Sequence, residues 1–336
     1  MKRTLILTSI LAAGLLATGA VAQRSPLPPP EPIEKITGNV YKIFGGGGNT
    51  LVVVQKDGVV LVDTKMPDNG PAILEQVKKV TDKPIVTIIN THSHPDHIGS
   101  TDYIREKYPN VKVIASAETK AEIAANPMYK AGVLPNTSYE NRMTLGKGNE
   151  RIELYHFARS HTDGDTFVVI PSAKLLFMGD VMAWDMAPFL PAGGAVEIAD
   201  VVDKLVATVK GVDIVVEGHG YVNNWKGLAR MAHFNRALVN AARAAYDRGD
   251  PPSAAVAELK KNPEFAPLLD TKIKKGLEYG NTPLARANMN VNVAYTEFAG
   301  EKVGFGVANG APLPATDKHK GSDPKDTAPP APPAQN

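Results

Sequence analysis

An α/β body followed by an all-helical segment is the architecture this sequence predicts, and three observations predict it. Short apolar runs alternate with amphipathic stretches as far as Glu217. From Trp225 the strand signal disappears and only helical periodicity remains. Four segments carrying histidine or aspartate each sit just after an apolar run, where strand ends can gather them on one rim of a sheet.

Taken in order, the chain begins with basic Met1-Lys2-Arg3, runs apolar from Leu5 to about Leu16 and reaches Ala20-Val21-Ala22 before Gln23. That is the pattern of a secretory signal peptide cleaved after Ala22, too short for a good membrane span. A periplasmic or secreted protein without a stable membrane anchor is expected. Residues 23–37 form a Pro-rich lead-in. A mixed α/β body over residues 38–222 follows. Strands are expected at Val40–Phe44, Thr50–Gln55 and Val59–Val62, separated by Gly45–Gly48 and Lys56-Asp57-Gly58. A helix at Pro71–Val80 precedes a strand at Ile85–Ile89. A helix near Ile98–Lys107, a strand at Val111–Ala115 and a helix at Glu118–Ala125 come next. Residues 126–150 read as an irregular insertion. Strands follow at Ile152–Phe157, Thr166–Ile170, Lys174–Met178 and Asp213–Glu217, with a helix at Ile198–Lys210. Gly227–Arg248, Ser253–Lys260 and Leu284–Phe298 are helical stretches of a segment spanning 223–309. Residues 310–336, rich in Pro, Ala, Lys and Asp, read as a disordered tail that includes His319.

The charge balance narrows the function classes. The chain has 37 Lys+Arg against 35 Asp+Glu, and removing residues 1–22 takes away Lys2 and Arg3 and no acid. The mature protein is then neutral, without the basic footprint of nucleic-acid binding. There is no Cys, so disulfides, thiolate ligands and lipid attachment at a cysteine are excluded.

The chemistry lies in Thr91-His92-Ser93-His94-Pro95-Asp96-His97-Ile98-Gly99. A HxHxDH string arises by chance on the order of 10⁻⁴ times per chain of this composition, which makes it a strong motif. His161, Asp180 and His219 each follow a further apolar run, so five of the 8 histidines fall in these segments. Imidazole and carboxylate without thiolate suit Zn²⁺, with Fe or Mn possible.

Five segments together resemble the metallo-β-lactamase fold hydrolases: Leu61-Val62-Asp63-Thr64, the histidine motif, Ser160-His161-Thr162-Asp163-Gly164-Asp165-Thr166, Phe177-Met178-Gly179-Asp180, and Glu217-Gly218-His219-Gly220. The resemblance covers most of residues 38–222. It implies a four-layer αββα sandwich with a dinuclear site at one edge, here with a C-terminal helical extension. It assigns His92, His94 and His161 to a first metal, Asp96, His97 and His219 to a second, and Asp180 to both. Two Zn²⁺ would share a hydroxide that attacks the substrate, with Asp96 as a candidate proton shuttle. Asp63 would orient ligands by hydrogen bond, or simply end a strand as a turn residue.

Other residues carry two readings each. His156 and His233 are packed or surface histidines rather than ligands. Asp163 and Asp165 could brace the His161 loop. Gly45–Gly48 is a flap or a hairpin turn. Met182, Trp184, Met186, Phe189 and Leu190 form a substrate wall or a loop packed on the core. Arg159 could hold a substrate carboxylate or be solvated, and Tyr221 could reach the pocket as a donor. The family includes β-lactamases, thioesterases, lactonases, sulfur dioxygenases, sulfatases and nucleases, so the fold alone does not choose. The missing cysteine ligand and the retained Asp180 point away from dedicated β-lactamases. The expected function is an exported dinuclear zinc hydrolase acting on a small-molecule ester, lactone or amide. The alternatives are a β-lactam-hydrolysing enzyme and a periplasmic metal-site accessory protein with little turnover.

Overall fold

Alternation of apolar side chains along short strands gives each sheet two buried faces, and three layers of core follow from it. The computed structural model describes residues 29–183, 186–270, 282–301 and 303. The expected signal peptide, Trp184, His319 and the tail lie outside the described residues.

A seven-stranded sheet runs in chain order through β1 (Glu34–Thr37), β2 (Val40–Ile43), β3 (Thr50–Val54), β4 (Val59–Val62), β5 (Ile85–Ile89), β6 (Lys112–Ser116) and β7 (Thr137–Tyr139). Its first four strands form an antiparallel meander. From β4 to β7 the pairing is parallel. The parallel crossovers carry α1 (Gly70–Lys78), α2 (Pro95–Ile98), α3 (Thr101–Lys107) and α4 (Ala117–Ala125). The second sheet has six strands, β8 (Arg142–Leu145), β9 (Ile152–Tyr155), β10 (Phe167–Ile170), β11 (Leu175–Phe177), β12 (Ile214–Val216) and β13 (Val222–Asn224). They pair in the order β13-β12-β11-β10-β9-β8, and α5 (Ile198–Thr208) links β11 to β12.

Between the sheets, Leu51, Val53, Val60, Val62 and Ile89 meet Leu154, Val168, Leu175, Phe177 and Val216. The intervening residues Val52, Val59, Leu61 and Ile88 face the other way, onto Ile73 and Val77 of α1 and Ile104 of α3. On the far side, Phe167, Val169, Leu176 and Val215 pack against Val201, Val202 and Leu205 of α5. The stacking is therefore αββα, as the resemblance implied. The same outer core continues into α6 (Trp225–Asp247), α7 (Pro252–Lys261), α8 (Ala266–Asp270) and α9 (Pro283–Phe298) through Leu228, Phe234, Val256, Leu269 and Val291. Asn224 caps α6 by accepting from Gly227 N, and Thr282 caps α9 from the residue before Pro283.

Three expectations need correction. Residues 126–150 are not wholly irregular: β7 and β8 lie there, and the chain passes from one sheet to the other between them. Both are short edge strands with exposed residues, so they lack an apolar run. Glu34–Thr37, assigned to the lead-in, forms edge strand β1, and Val222–Asn224 forms edge strand β13. Phe177 is fully buried between the sheets. Phe177→Ala is expected to destabilise the fold by about 3–5 kcal/mol in urea denaturation; a loss under about 1 kcal/mol would contradict this packing.

Candidate metal centre

The histidine motif follows β5 and changes backbone form halfway through. His94 is extended (φ −68°, ψ 145°) and caps α2, with Pro95 in the first helical position. His92 and His94 thus come from extended chain, Asp96 and His97 from a helical turn. His161 lies between β9 and β10, Asp180 in a tight turn at Gly179–Val181 after β11, and His219 after β12.

All seven side chains converge. His161 Nε2 lies 2.9 Å from His94 Nδ1, and His97 Nε2 lies 3.2 Å from His219 Nε2. His219 Nε2 is 3.0 Å from Asp96 Oδ2. Asp180 sits among them: Oδ1 is 3.3 Å from His97 Nε2, while Oδ2 is 3.3 Å from His219 Nε2 and 3.6 Å from His161 Nε2. Three sets of ligand atoms lie within 4.8 Å of one another: His92, His94 and His161; His92, His97 and Asp180; and Asp96, His97 and His219. His92 Nε2 and Asp180 Oδ1 are buried and have no hydrogen-bond partner. Orphaned acceptors facing a nitrogen and oxygen cluster fit divalent cations.

The rings are aimed from behind. His97 Nδ1–H donates to Asp63 Oδ2 at 2.7 Å. His92 Nδ1–H donates to the Thr91 hydroxyl at 2.9 Å, and that hydroxyl donates to the same Asp63 oxygen at 2.7 Å. Thr91 N adds 2.8 Å to Asp63 Oδ1. His161 Nδ1–H donates to the Phe189 carbonyl at 2.5 Å. Asp63 therefore orients two imidazoles, and it does so from a left-handed backbone (φ +62°), so both readings of this residue hold at once. Burial and neighbouring imidazoles push His94 down to about 4 and His92 well below the ordinary range. Burial works against the anion of Asp180, but His219 and His97 outweigh it and hold the carboxyl well below its usual range.

The Gly45–Gly48 loop is buried rather than a flap. Gly48 N donates to Asp96 O at 2.9 Å, and the buried Lys65 ammonium donates to Ile43 O at 2.7 Å and Gly48 O at 2.8 Å. Burial lowers Lys65 to about 7. A Cβ on Gly48 would lie 2.3 Å from His97 Cε1, and one on Gly218 2.0 Å from Asp180 Oδ1, so both approaches require glycine. Asp165 braces the His161 loop by accepting from Ser160 Oγ at 2.7 Å and Thr162 N at 2.8 Å, and burial raises it to about 6.

The expected pocket residues fare differently. Arg159 is committed elsewhere: it pairs with Asp163 at 3.0 Å and Glu297 at 3.4 Å and donates to Ala192 O. Met186 is fully buried, Met182 and Leu190 belong to the outer core, and Phe189 is half-buried. Tyr221 is 40% exposed and stacks on Phe44 with centroids 6.3 Å apart. His156 is packed, bonded to Asp165 O at 3.0 Å, and His233 pairs with Glu264 at the surface. Sequence reasoning missed Thr91 as a relay, Lys65 as a loop anchor and Tyr129, whose hydroxyl donates to Ser93 O inside the motif. Thr91 borders the motif and was the findable one; the other two carry no local signal.

Comparison with known proteins gives the same picture. Residues 43–219 match the family model of the metallo-beta-lactamase superfamily. Metallo-beta-lactamase IND-1 of Chryseobacterium indologenes is 26% identical over 216 residues, 60% of this chain and 85% of that protein. Hydroxyacylglutathione hydrolase of Prochlorococcus marinus (strain MIT 9312) is 33% identical over 138 residues, 40% of this chain and 50% of that protein. Among solved structures, the stereoselective inverting sec-alkylsulfatase Pisa1 from Pseudomonas sp. superposes with a TM-score of 0.61 at 19% identity, covering 84% of this chain and 52% of its own. With the family model matched over more than half its length and the fold alike, this chain belongs to the metallo-beta-lactamase superfamily of hydrolases.

Proposed function

We propose that this hydrolase is an exported dinuclear zinc enzyme that cleaves a small ester, lactone or amide. The observation that carries the reading is Asp180, whose two oxygens face imidazoles of both halves of the cluster. His92, His94 and His161 would hold one cation, and Asp96, His97 and His219 the other, with Asp180 common to both. Cations bound there supply Lewis acidity and make a bound water far more acidic than in bulk.

The side chains do the rest. Asp180 offsets part of the positive charge and fixes the spacing of the two groups. Asp63 holds His97 directly and His92 through Thr91, so neither ring turns its acceptor nitrogen away from the centre. Asp96 is the most exposed carboxylate of the cluster, with a side chain 27% exposed against 13% for Asp180. That exposure supports Asp96 as the group that would take a proton on the open side and pass it to a leaving group. Tyr221 and Phe44 offer an aromatic surface beside His219 for an apolar portion of the substrate. Export rests on the N-terminal pattern, and no helix among the described residues is long and apolar enough to cross a membrane.

Elemental analysis is expected to find two zinc ions per chain, and a panel of ester, lactone, amide and cephalosporin should show turnover of the first three above the last. Two ions with no turnover on any substrate would favour an accessory role and sink this reading; a cephalosporin preference would move the protein to the β-lactamases. Asp180→Ala should reduce hydrolysis to background with an unchanged far-ultraviolet circular dichroism spectrum, and near-normal rates would remove the shared-ligand role. Asp63→Asn should weaken zinc retention by about 10–100-fold in competition with a chromophoric chelator, the range typical of a lost ligand-orienting partner. An unaltered affinity would mean that Asp63 serves the turn alone.

A further inference from the structure

Arg286 stands in the first turns of α9, in the helical segment beyond the family match. Only 9% of it is exposed, and its Nε has no hydrogen-bond partner. Among the described residues no carboxylate lies within ion-pair distance of its guanidinium. A buried guanidinium left in this state is costly, and proteins ordinarily pair it. Its carbon lies 5.6 Å from the centre of the Phe189 ring, and the Phe189 carbonyl is the group that holds His161. Burial disfavours its charge, and the carboxylates of Asp180 and Glu217 favour it.

The helix that presents Arg286 is tied down. One turn on, Asn290 Nδ2 donates to Pro188 O at 3.1 Å, while its own Oδ1 is buried without a partner. Near the far end, Glu297 accepts from Gly194 N at 2.5 Å and Val196 N at 2.9 Å and pairs with Arg159. A cation held rigidly beside a reaction centre, with its donors unspent, is prearranged for an incoming anion.

We propose that Arg286 is a specificity residue that receives an oxyanion group of the substrate, a carboxylate or sulfonate carried near the scissile bond. This rests on the hydrolase reading above and narrows it to acidic substrates. It also moves the anion-binding role from Arg159, which is spent on Asp163 and Glu297, to a residue of the C-terminal helices.

The test uses the full-length, zinc-loaded protein and its Arg286→Gln and Arg286→Lys variants. Calorimetric titration with hexanoate, hexanesulfonate and neutral hexanamide should show the Gln variant losing about 10–100-fold in affinity for at least one of the two anions, the span of a charge-assisted hydrogen bond. The Lys variant should recover part of it, and the anion that loses more identifies the group. In turnover, the ratio of kcat/KM for a 4-nitrophenyl ester bearing a free carboxylate over its neutral analogue should fall at least about tenfold in the Gln variant, mainly through KM. Unchanged affinity for both anions would mean that they bind through the metals alone and would overturn the proposal. So would an unchanged ratio, which marks a structural arginine. If the parent protein turns over neither ester, the hydrolase reading fails, while the titration still decides Arg286 because binding needs no turnover. Should the Gln variant not fold, the Lys variant carries the test: it keeps the charge but loses the planar fork, and anion affinity equal to the parent's would overturn the proposal.

Discussion

The carboxylate of Asp63 is the contact on which the rest of the centre depends. It is fully buried at the end of β4 and takes three bonds, from the Thr91 amide, the Thr91 hydroxyl and the His97 ring, and through that hydroxyl it also reaches the His92 ring. Burial alone makes such a carboxyl harder to ionise, and its net shift is upward even with His97 and Thr91 against it. The cost is tolerated because the group joins two neighbouring parallel strands, β4 and β5, at the point where their loops must hold still. Two imidazoles from one loop are thereby aligned by one side chain of another.

Close approach is the second constraint. The loops around the cluster carry glycine where backbone touches a functional side chain, at Gly48 against His97 and at Gly218 against Asp180. Lys65 closes the same region from beneath, tying Ile43 and Gly48 to the turn that follows Asp63. Its ammonium is buried against two carbonyl oxygens, which take two of its three donors and help a lysine to lie in the core.

Most of the layered body was legible because β3 to β6 and β9 to β12 hold short apolar runs, most of them buried on both faces. The edge strands β1, β7, β8 and β13 were not, since three or four half-exposed residues carry no period. The convergence of residues 92–97, 161, 180 and 219 was legible because histidine clusters after strands have few other uses. The pocket was not. Met186 and Arg159 sit in separate loops whose facing is decided by long-range packing, with Glu297, about 140 positions further on, settling where Arg159 points. Arg286 likewise gains its meaning only when α9 folds back beside Phe189.

The tether between α9 and the stretch from Pro188 to Val196 joins two parts of the chain that look independent in sequence. Phe189 lies inside that stretch and steadies His161. Loosening the last helix would therefore free the stretch whose Phe189 carbonyl steadies an imidazole of the sandwich, so the aim of His161 depends on the C-terminal bundle. The bundle is a strut for the rim that carries the histidine cluster, and its exchange for an unrelated appendage would remove the support behind His161.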